Sequence, residues 1–289
     1  MDFEIKVQTP VRLDVYLAQL YPELPRAYIQ KGIKQGKVMV NAKATTKPSY
    51  QVKSGDLVEA VAIDKAIEIP KIEMKIIFED NDVVVIDKPV GLLSHSKGVI
   101  NPEATVATWL ADKYRSSVIS NRDGIVHRLD RATSGVMICA KNAESLKWLQ
   151  KQFSSRKVKK TYQAIVQGNM DPPEAVIDMP IERNPKVPQR FRAGHAGKPA
   201  TTYYRQIKEI KKGPDKYALV ILHPKTGRTH QLRVHLSYIG HPIVGDTFYR
   251  GQYAKRLFLH AKELEIMLPD GNKKIFQAPT PKEFLEFER

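Results

Sequence analysis

The stretch HRLDRATSGVMICAK, His127 to Lys141, puts one carboxylate, Asp130, between two guanidinium groups, Arg128 and Arg131. A Thr133-Ser134-Gly135 turn and an apolar run follow it. Neighbouring cations favour the ionised form of a carboxylate, so Asp130 suits attack on carbon or removal of a proton better than donation of one. Val136 to Ala140 is continuous, apolar and biased toward β-branched residues, which predicts a strand buried on both faces with Asp130 at its mouth. An aspartate beside a glycine turn can equally bond its own backbone, and the local pattern leaves both readings open. Two more groups stand out by type. Tyr162 follows the basic run Arg156-Lys157-Val158-Lys159-Lys160 in a predicted strand, where spacing alone favours core packing. Arg233 lies on a helix predicted over 229–238, closed by Gly240 and Pro242, whose Leu232, Leu236 and Ile239 share the inward face. His230, His235 and His241 are expected to pack or bond locally, with no part in proton transfer.

The rest of the chain has to position these groups. Its 289 residues allow a small domain beside a larger one. With 47 basic against 31 acidic residues the formal charge is +16, which points to a polyanion, with an anionic membrane surface the weaker option. No apolar window of about 18 residues exists, and MDFEIKVQTP lacks the apolar core of a leader. A soluble, cytoplasmic protein is expected, with no membrane association and no obligate protein partner implied. The single cysteine, Cys139, falls inside the apolar run, and no C-x-x-C or H-E-x-x-H spacing occurs, so neither a disulfide nor a metal site is expected.

Residues 1–62 contain a compact module. Leu13, Leu17 and Leu20 recur at helical spacing before Pro22. A second helix is expected from Pro25, with Ile29 and Ile33 inward and Arg26, Lys31 and Lys34 outward, ending at Gly36. Val38 and Val40 then alternate as a strand, and Gly55-Asp56 turns into Leu57-Val58. Residues 63–74 are a charged linker without periodicity. Beyond it, strands are expected over 75–79 and 83–87, a helix over 103–114, and a turn at Asn121 to Gly124. A helix capped by Asn142 carries Leu146, Leu149 and Phe153. Further strands are expected over 162–166, 201–207, 217–222, 257–259 and 264–267, with 185–200 as a charged Pro/Gly loop. Helix and strand mix without regular βαβ alternation, so the fold class is α+β with a mixed, mainly antiparallel sheet.

HRLD with its Thr-Ser-Gly turn, KKTYQAIVQG at 159–168 and PKTGRTHQLRVHLSYIGHPIVGD at 224–246 resemble, in order, the signature of the RluA family of RNA pseudouridine synthases. RLDVYL, KGIKQGKVMVN and KSGDLV resemble an S4 RNA-binding domain, although Ala27 and Tyr28 stand where that module commonly has a serine and a basic residue. The resemblance implies a catalytic domain over 75–289, Asp130 as the catalytic carboxylate, and no cofactor. It also implies Arg128 in the space a flipped nucleotide vacates, Tyr162 stacked on the uracil, and Arg233 paired with Asp130. Arg26, Lys31 and Lys34 are candidate RNA contacts. Because S4-like modules often accompany rRNA-directed members, large ribosomal RNA is favoured as substrate over transfer RNA. A non-catalytic RNA binder and a glycosylase are the rival readings; the latter usually needs two carboxylates, and the motif offers one.

Overall fold

The computed structural model describes residues 2–4, 10–22, 24, 26–60, 70–96, 103–114 and 124–289. Pro25, most of the expected linker (63–69) and 121–123 of the expected turn lie outside these residues. The chain divides into two compact units, one running from Met1 to Lys71 with two short later stretches grouped to it, the other holding the remainder.

In the first unit, β1 (Asp2–Glu4) and β2 (Val11–Arg12) precede α1 (Leu13–Leu20) and α2 (Arg26–Lys34). Four short strands follow: β3 (Val38–Val40), β4 (Lys43–Ala44), β5 (Gln51–Val52) and β6 (Leu57–Ala60). The strand order is β1-β6-β3-β4, and β2 pairs with β5. Helices of eight and nine residues do not hold in water by propensity alone. They hold here because Leu13, Leu17, Ile29 and Ile33 bury fully against Val38, Val52 and Val58. Arg26, Lys31 and Lys34 stay exposed on the opposite side of α2. A polar hub ties the helices together. Asp14 is fully buried and accepts from Arg12 (3.0 and 3.1 Å), Arg26 Nε (3.0 Å) and Gln30 (2.6 Å). Burial opposes the charge of Asp14, but the hydrogen bonds outweigh it and hold the carboxyl well below the usual range. Arg26 is therefore an anchored cation.

The second unit begins with β7 (Lys75–Glu79), β8 (Val83–Lys88), α3 (Val106–Tyr114), β9 (Ser134–Ala140), α4 (Ala143–Ser154) and β10 (Lys159–Gln167). It continues with β11 (Glu174–Asp178), β12 (Ile181–Arg183), β13 (Phe191–Ala193), β14 (Thr201–Lys212), β15 (Asp215–Pro224) and α5 (Gln231–Tyr238). It ends with β16 (Leu259–Met267), β17 (Lys273–Gln277) and α6 (Lys282–Phe287). The main sheet runs β11-β14-β15-β10-β16-β9-β8-β7, with β17 also on β16. Among the strands of this sheet only β9 and β16 pair in parallel, so the sheet is mixed and mainly antiparallel, and the fold is α+β.

All seven residues of β9 are buried, for a reason its alternation supplies. Val136, Ile138 and Ala140 face Leu149 of α4, and Met137 and Cys139 face Val106 and Leu110 of α3. Asn142 caps α4 as expected, its side chain accepting from Ser145 N–H at 2.8 Å. At the start of β9, Gly135 has φ +116°, and a Cβ there would collide with the Ala261 carbonyl of β16. The glycine of the turn motif thus lets two strands approach just beyond Asp130.

Some expectations are corrected. Residues 185–200 are not loop throughout: β13 lies among them and pairs with β12. The strands expected over 257–259 and 264–267 are one strand, β16, which passes its charged middle by a register shift opposite Thr161 and Tyr162. Helix α5 starts at Gln231, because His230 before it is left-handed.

Replacing Asp14 with Asn should loosen α1 and α2, since each lost charge-assisted hydrogen bond contributes about 1.5–3 kcal/mol. Amide exchange in those helices should accelerate at neutral pH, while exchange in β9 stays as in the wild type. The folded-state pKa of Asp14 is depressed, so its contribution is complete above the ordinary aspartate value of about 3.9 and declines as pH falls below it. The two proteins should converge in acid; a difference that grows in acid would rule out the carboxylate as the hub.

Candidate active site

Asp130 lies on the segment entering β9. Its turn is closed by main chain, Thr133 N–H donating to Asp130 O at 3.0 Å, and its carboxylate lines a cavity of about 550 Å³. The segment is clasped from the side. Ser94 Oγ donates to Leu129 O (2.9 Å) and accepts from Leu129 N–H (3.1 Å), and Gly91 N–H donates to Arg131 O (2.8 Å). Lys88, fully buried at the end of β8, holds the same loop through Pro89 O (2.9 Å) and Leu92 O (2.8 Å). Burial pushes its ammonium down to about 7, with the charge of Asp130 opposing that fall.

Helix α5 brings two groups to the carboxylate. Arg233 Nη1 stands 3.6 Å from Asp130 Oδ2, and His230 Nε2 stands 3.8 Å from Oδ1. The expected partnership of Arg233 with Asp130 is thus present but shared. The short, two-point pairing of Arg233 goes to Asp246, Nε to Oδ2 at 2.7 Å and Nη2 to Oδ1 at 2.8 Å. Asp246 is itself buried and follows Gly245, whose φ of +81° and contact with the Arg256 carbonyl leave no room for a side chain. The guanidinium also lies over the Tyr249 ring at 4.9 Å.

Tyr162 on β10 lines the same cavity as Asp130 and packs against both central core clusters. Burial, and then the charge of Asp130, push its phenol up, so it remains neutral. Lys160 points to the same side, two residues earlier on the strand. Its amino group lies 3.3 Å from Thr226 O, and burial lowers it to about 8. Arg128 is exposed and lines the cavity, as does the 224–229 loop with Lys225 and Arg228. His127, also in the motif, accepts the Ile138 N–H at 3.1 Å and stacks on Phe153 at 4.6 Å, which suits a support for β9.

Asp130, Arg128, Tyr162 and Arg233 therefore line one cavity, whereas Arg26, Lys31 and Lys34 belong to the other unit. His235 bonds Thr202 and Met179 O, and His241 bonds Gln167 O, so both are engaged away from the cavity. His230 packs among Phe191, Phe248 and Tyr249 and bonds Tyr249, and it also faces Asp130. Lys88, Lys160, Asp246 and Tyr249 are not among the residues expected from the sequence. Lys160 carried a signal, because it shares a strand face with Tyr162; the position of Asp246, 13 residues after Arg233, carried none.

The arrangement offers one charged carboxylate, an aromatic face and a basic rim in a cavity large enough for a nucleotide. A family model described as RNA pseudouridylate synthase matches residues 82–238, and an S4 domain model matches 11–58. The chain is 38% identical over 291 residues to an RNA pseudouridine synthase of Aquifex aeolicus (strain VF5), covering 96% of this chain and 89% of the relative. It is 39% identical over 247 residues to ribosomal large subunit pseudouridine synthase D of Yersinia pestis, covering 83% and 73%. Among solved structures it resembles human RNA pseudouridylate synthase domain containing 1, with a TM-score of 0.60 and 28% identity, covering 75% of this chain and 85% of that one. The chain belongs to the RNA pseudouridylate synthase family and is an isomerase acting on uridine in RNA, with an S4 domain at its N-terminus.

Proposed function

We propose that the isomerisation runs through Asp130. One observation carries this reading: a single carboxylate set in the cavity with one oxygen toward Arg233 and the other toward His230, and with Tyr162 lining the same space. The reaction breaks the N1–C1′ bond, turns the uracil and joins C5 to C1′. The proton leaves C5 and N1 gains one, so nothing passes to a cofactor. Asp130 supplies negative charge beside C1′. The base must be flipped out of its stack to arrive there, which costs a few kcal/mol. Stacking on Tyr162, worth about 1–3 kcal/mol, and Arg128 in the vacated space offset that cost. Arg233 fixes Asp130.

We assign large-subunit ribosomal RNA as the substrate in preference to transfer RNA, and the cytoplasm as the working compartment. The names of the Yersinia pestis and Escherichia coli relatives, ribosomal large subunit pseudouridine synthase D, support that target. Residues 1–62 are assigned to phosphate contact through Arg26, Lys31 and Lys34, joined by the linker 63–74 to the catalytic domain 75–289. Arg26 serves this with its guanidinium already oriented by Asp14.

Asp130→Asn keeps the size and removes the charge. Pseudouridine formation should become undetectable in digested RNA while RNA binding is largely kept; activity above about a tenth of wild type, a loss of under 1.4 kcal/mol, would remove Asp130 from its role. Arg233→Lys keeps a charge but cannot span Asp246 and Asp130 together. Turnover at saturating RNA should fall about 100-fold, as expected for a misplaced reacting group, with little change in affinity. A fall in affinity alone would make Arg233 a phosphate contact. Replacing Lys31 and Lys34 with Ala should weaken binding and make the slope of log affinity against log salt shallower by about 1–2, leaving saturated turnover intact. An unchanged slope would exclude this face of α2 from the RNA.

A further inference from the structure

His230 faces Asp130 but touches no part of the proposed reaction, and its own surroundings are tightly specified. It stands at the start of α5 with φ 56°, a left-handed conformation that L residues adopt only at a cost. Three rings hold its imidazole edge-on: Phe191 at 5.8 Å, Phe248 at 6.0 Å and Tyr249 at 5.6 Å. The plane of the ring is therefore fixed.

Its protonation pattern follows from the partners. Tyr249 is buried, and burial raises its phenol, which keeps the hydroxyl proton in place. Tyr249 Oη accepts the Phe191 N–H at 3.0 Å and lies 2.7 Å from His230 Nδ1. Its other partner among the described residues, the Phe191 N–H, can only donate, so Nδ1 is the one acceptor those partners offer the buried phenolic proton. Nδ1 is then an acceptor, and a neutral imidazole must carry its proton on Nε2. Burial favours that neutral form, against the pull of Asp130 and Asp246 and with the help of Arg233 and Arg128. The protonated Nε2 is the atom facing Asp130 Oδ1 at 3.8 Å, while Arg233 Nη1 faces Oδ2 at 3.6 Å.

We propose that His230, fixed as its Nε2–H tautomer by Tyr249, is a positioning residue for Asp130. Each carboxylate oxygen then has its own donor, and each donor is itself oriented from the same short segment: Asp246 sets Arg233, and Tyr249 sets His230. Both separations exceed hydrogen-bond length, so the carboxylate is aimed without being neutralised, and such bonds commonly tighten when substrate enters. His230 controls which oxygen of Asp130 meets the sugar. This rests on Asp130 being the reacting carboxylate.

Two measurements test it. In ¹⁵N-edited NMR of the histidine side chains, wild type should show His230 neutral with the proton on Nε2, and Tyr249→Phe should shift it toward a mixture of tautomers. A charged or Nδ1–H imidazole in wild type would overturn the proposal. In single-turnover kinetics at saturating RNA, His230→Ala should slow the reaction about 100-fold, the cost of a small misplacement of a reacting group, with RNA affinity little changed. His230→Gln, whose amide N–H reaches toward the place of Nε2–H, should recover more than half of that loss on a log scale. Tyr249→Phe should cost about 10-fold, one hydrogen bond's worth, in the wild-type background and nothing further beside His230→Gln. Equal costs in both backgrounds, or a loss of affinity without loss of rate, would make the pair merely structural. Asp130→Asn in the same assay separates the two readings: if it retains activity, the role of Asp130 fails, whereas the tautomer is read by NMR without any turnover.

Discussion

A buried guanidinium must meet its charge inside the protein, because taking an ion out of water costs several kcal/mol. Arg233 meets that demand with both oxygens of Asp246, and this pairing fixes the direction of its remaining nitrogen toward Asp130. The division of distances matters. At 2.7 Å the Asp246 contact is a full charge-assisted bond; at 3.6 Å the Asp130 contact is an electrostatic one. A carboxylate locked bidentately to Arg233 would have few lone pairs left for the sugar. Giving the lock to Asp246 leaves Asp130 oriented and available.

The sheet delivers Asp130 to that place. Strand β9 is sandwiched between α3 and α4, and Gly135 allows it to run hard against β16. The loop after β8 then clasps the approach to β9 through Ser94 and Gly91. Lys88 closes that clasp from below at the cost of burying an ammonium group, which two carbonyls and the nearby carboxylate offset. Several of the buried polar groups around the site thus serve a single loop geometry.

The first unit uses the same physics for another end. Asp14 is buried between two helices too short to stand alone, and its charge collects Arg12 and Arg26 at their surface. One inward carboxylate both staples the small core and displays cations outward. That arrangement suits a module whose proposed contribution is phosphate contact. The proposed chemistry belongs to the second unit, where Arg128, Lys225 and Arg228 line the same cavity as Asp130.

Features that depend on near neighbours along the chain are legible in the amino-acid order. The two-sided burial of β9 follows from five consecutive apolar residues, the start of α4 from Asn142, the face of α2 from Ile29 and Ile33, and the prominence of Asp130 from its place before a Thr-Ser-Gly turn. The motif order also carried the family. Which groups meet is set by the folding of distant segments together. Asp246 and Arg233 are 13 residues apart, and Tyr249 and His230 are 19, at spacings with no helical or strand period to link them. The clasp of Ser94 on Leu129 spans 35. The β12–β13 hairpin leaves no sequence signal because each strand has three residues, too few to establish a period, and β16 reads as two segments because a bulge carries it past its charged middle. Partners set by sheet pairing and helix docking leave no local trace, since their cost and gain are settled by burial in the folded chain.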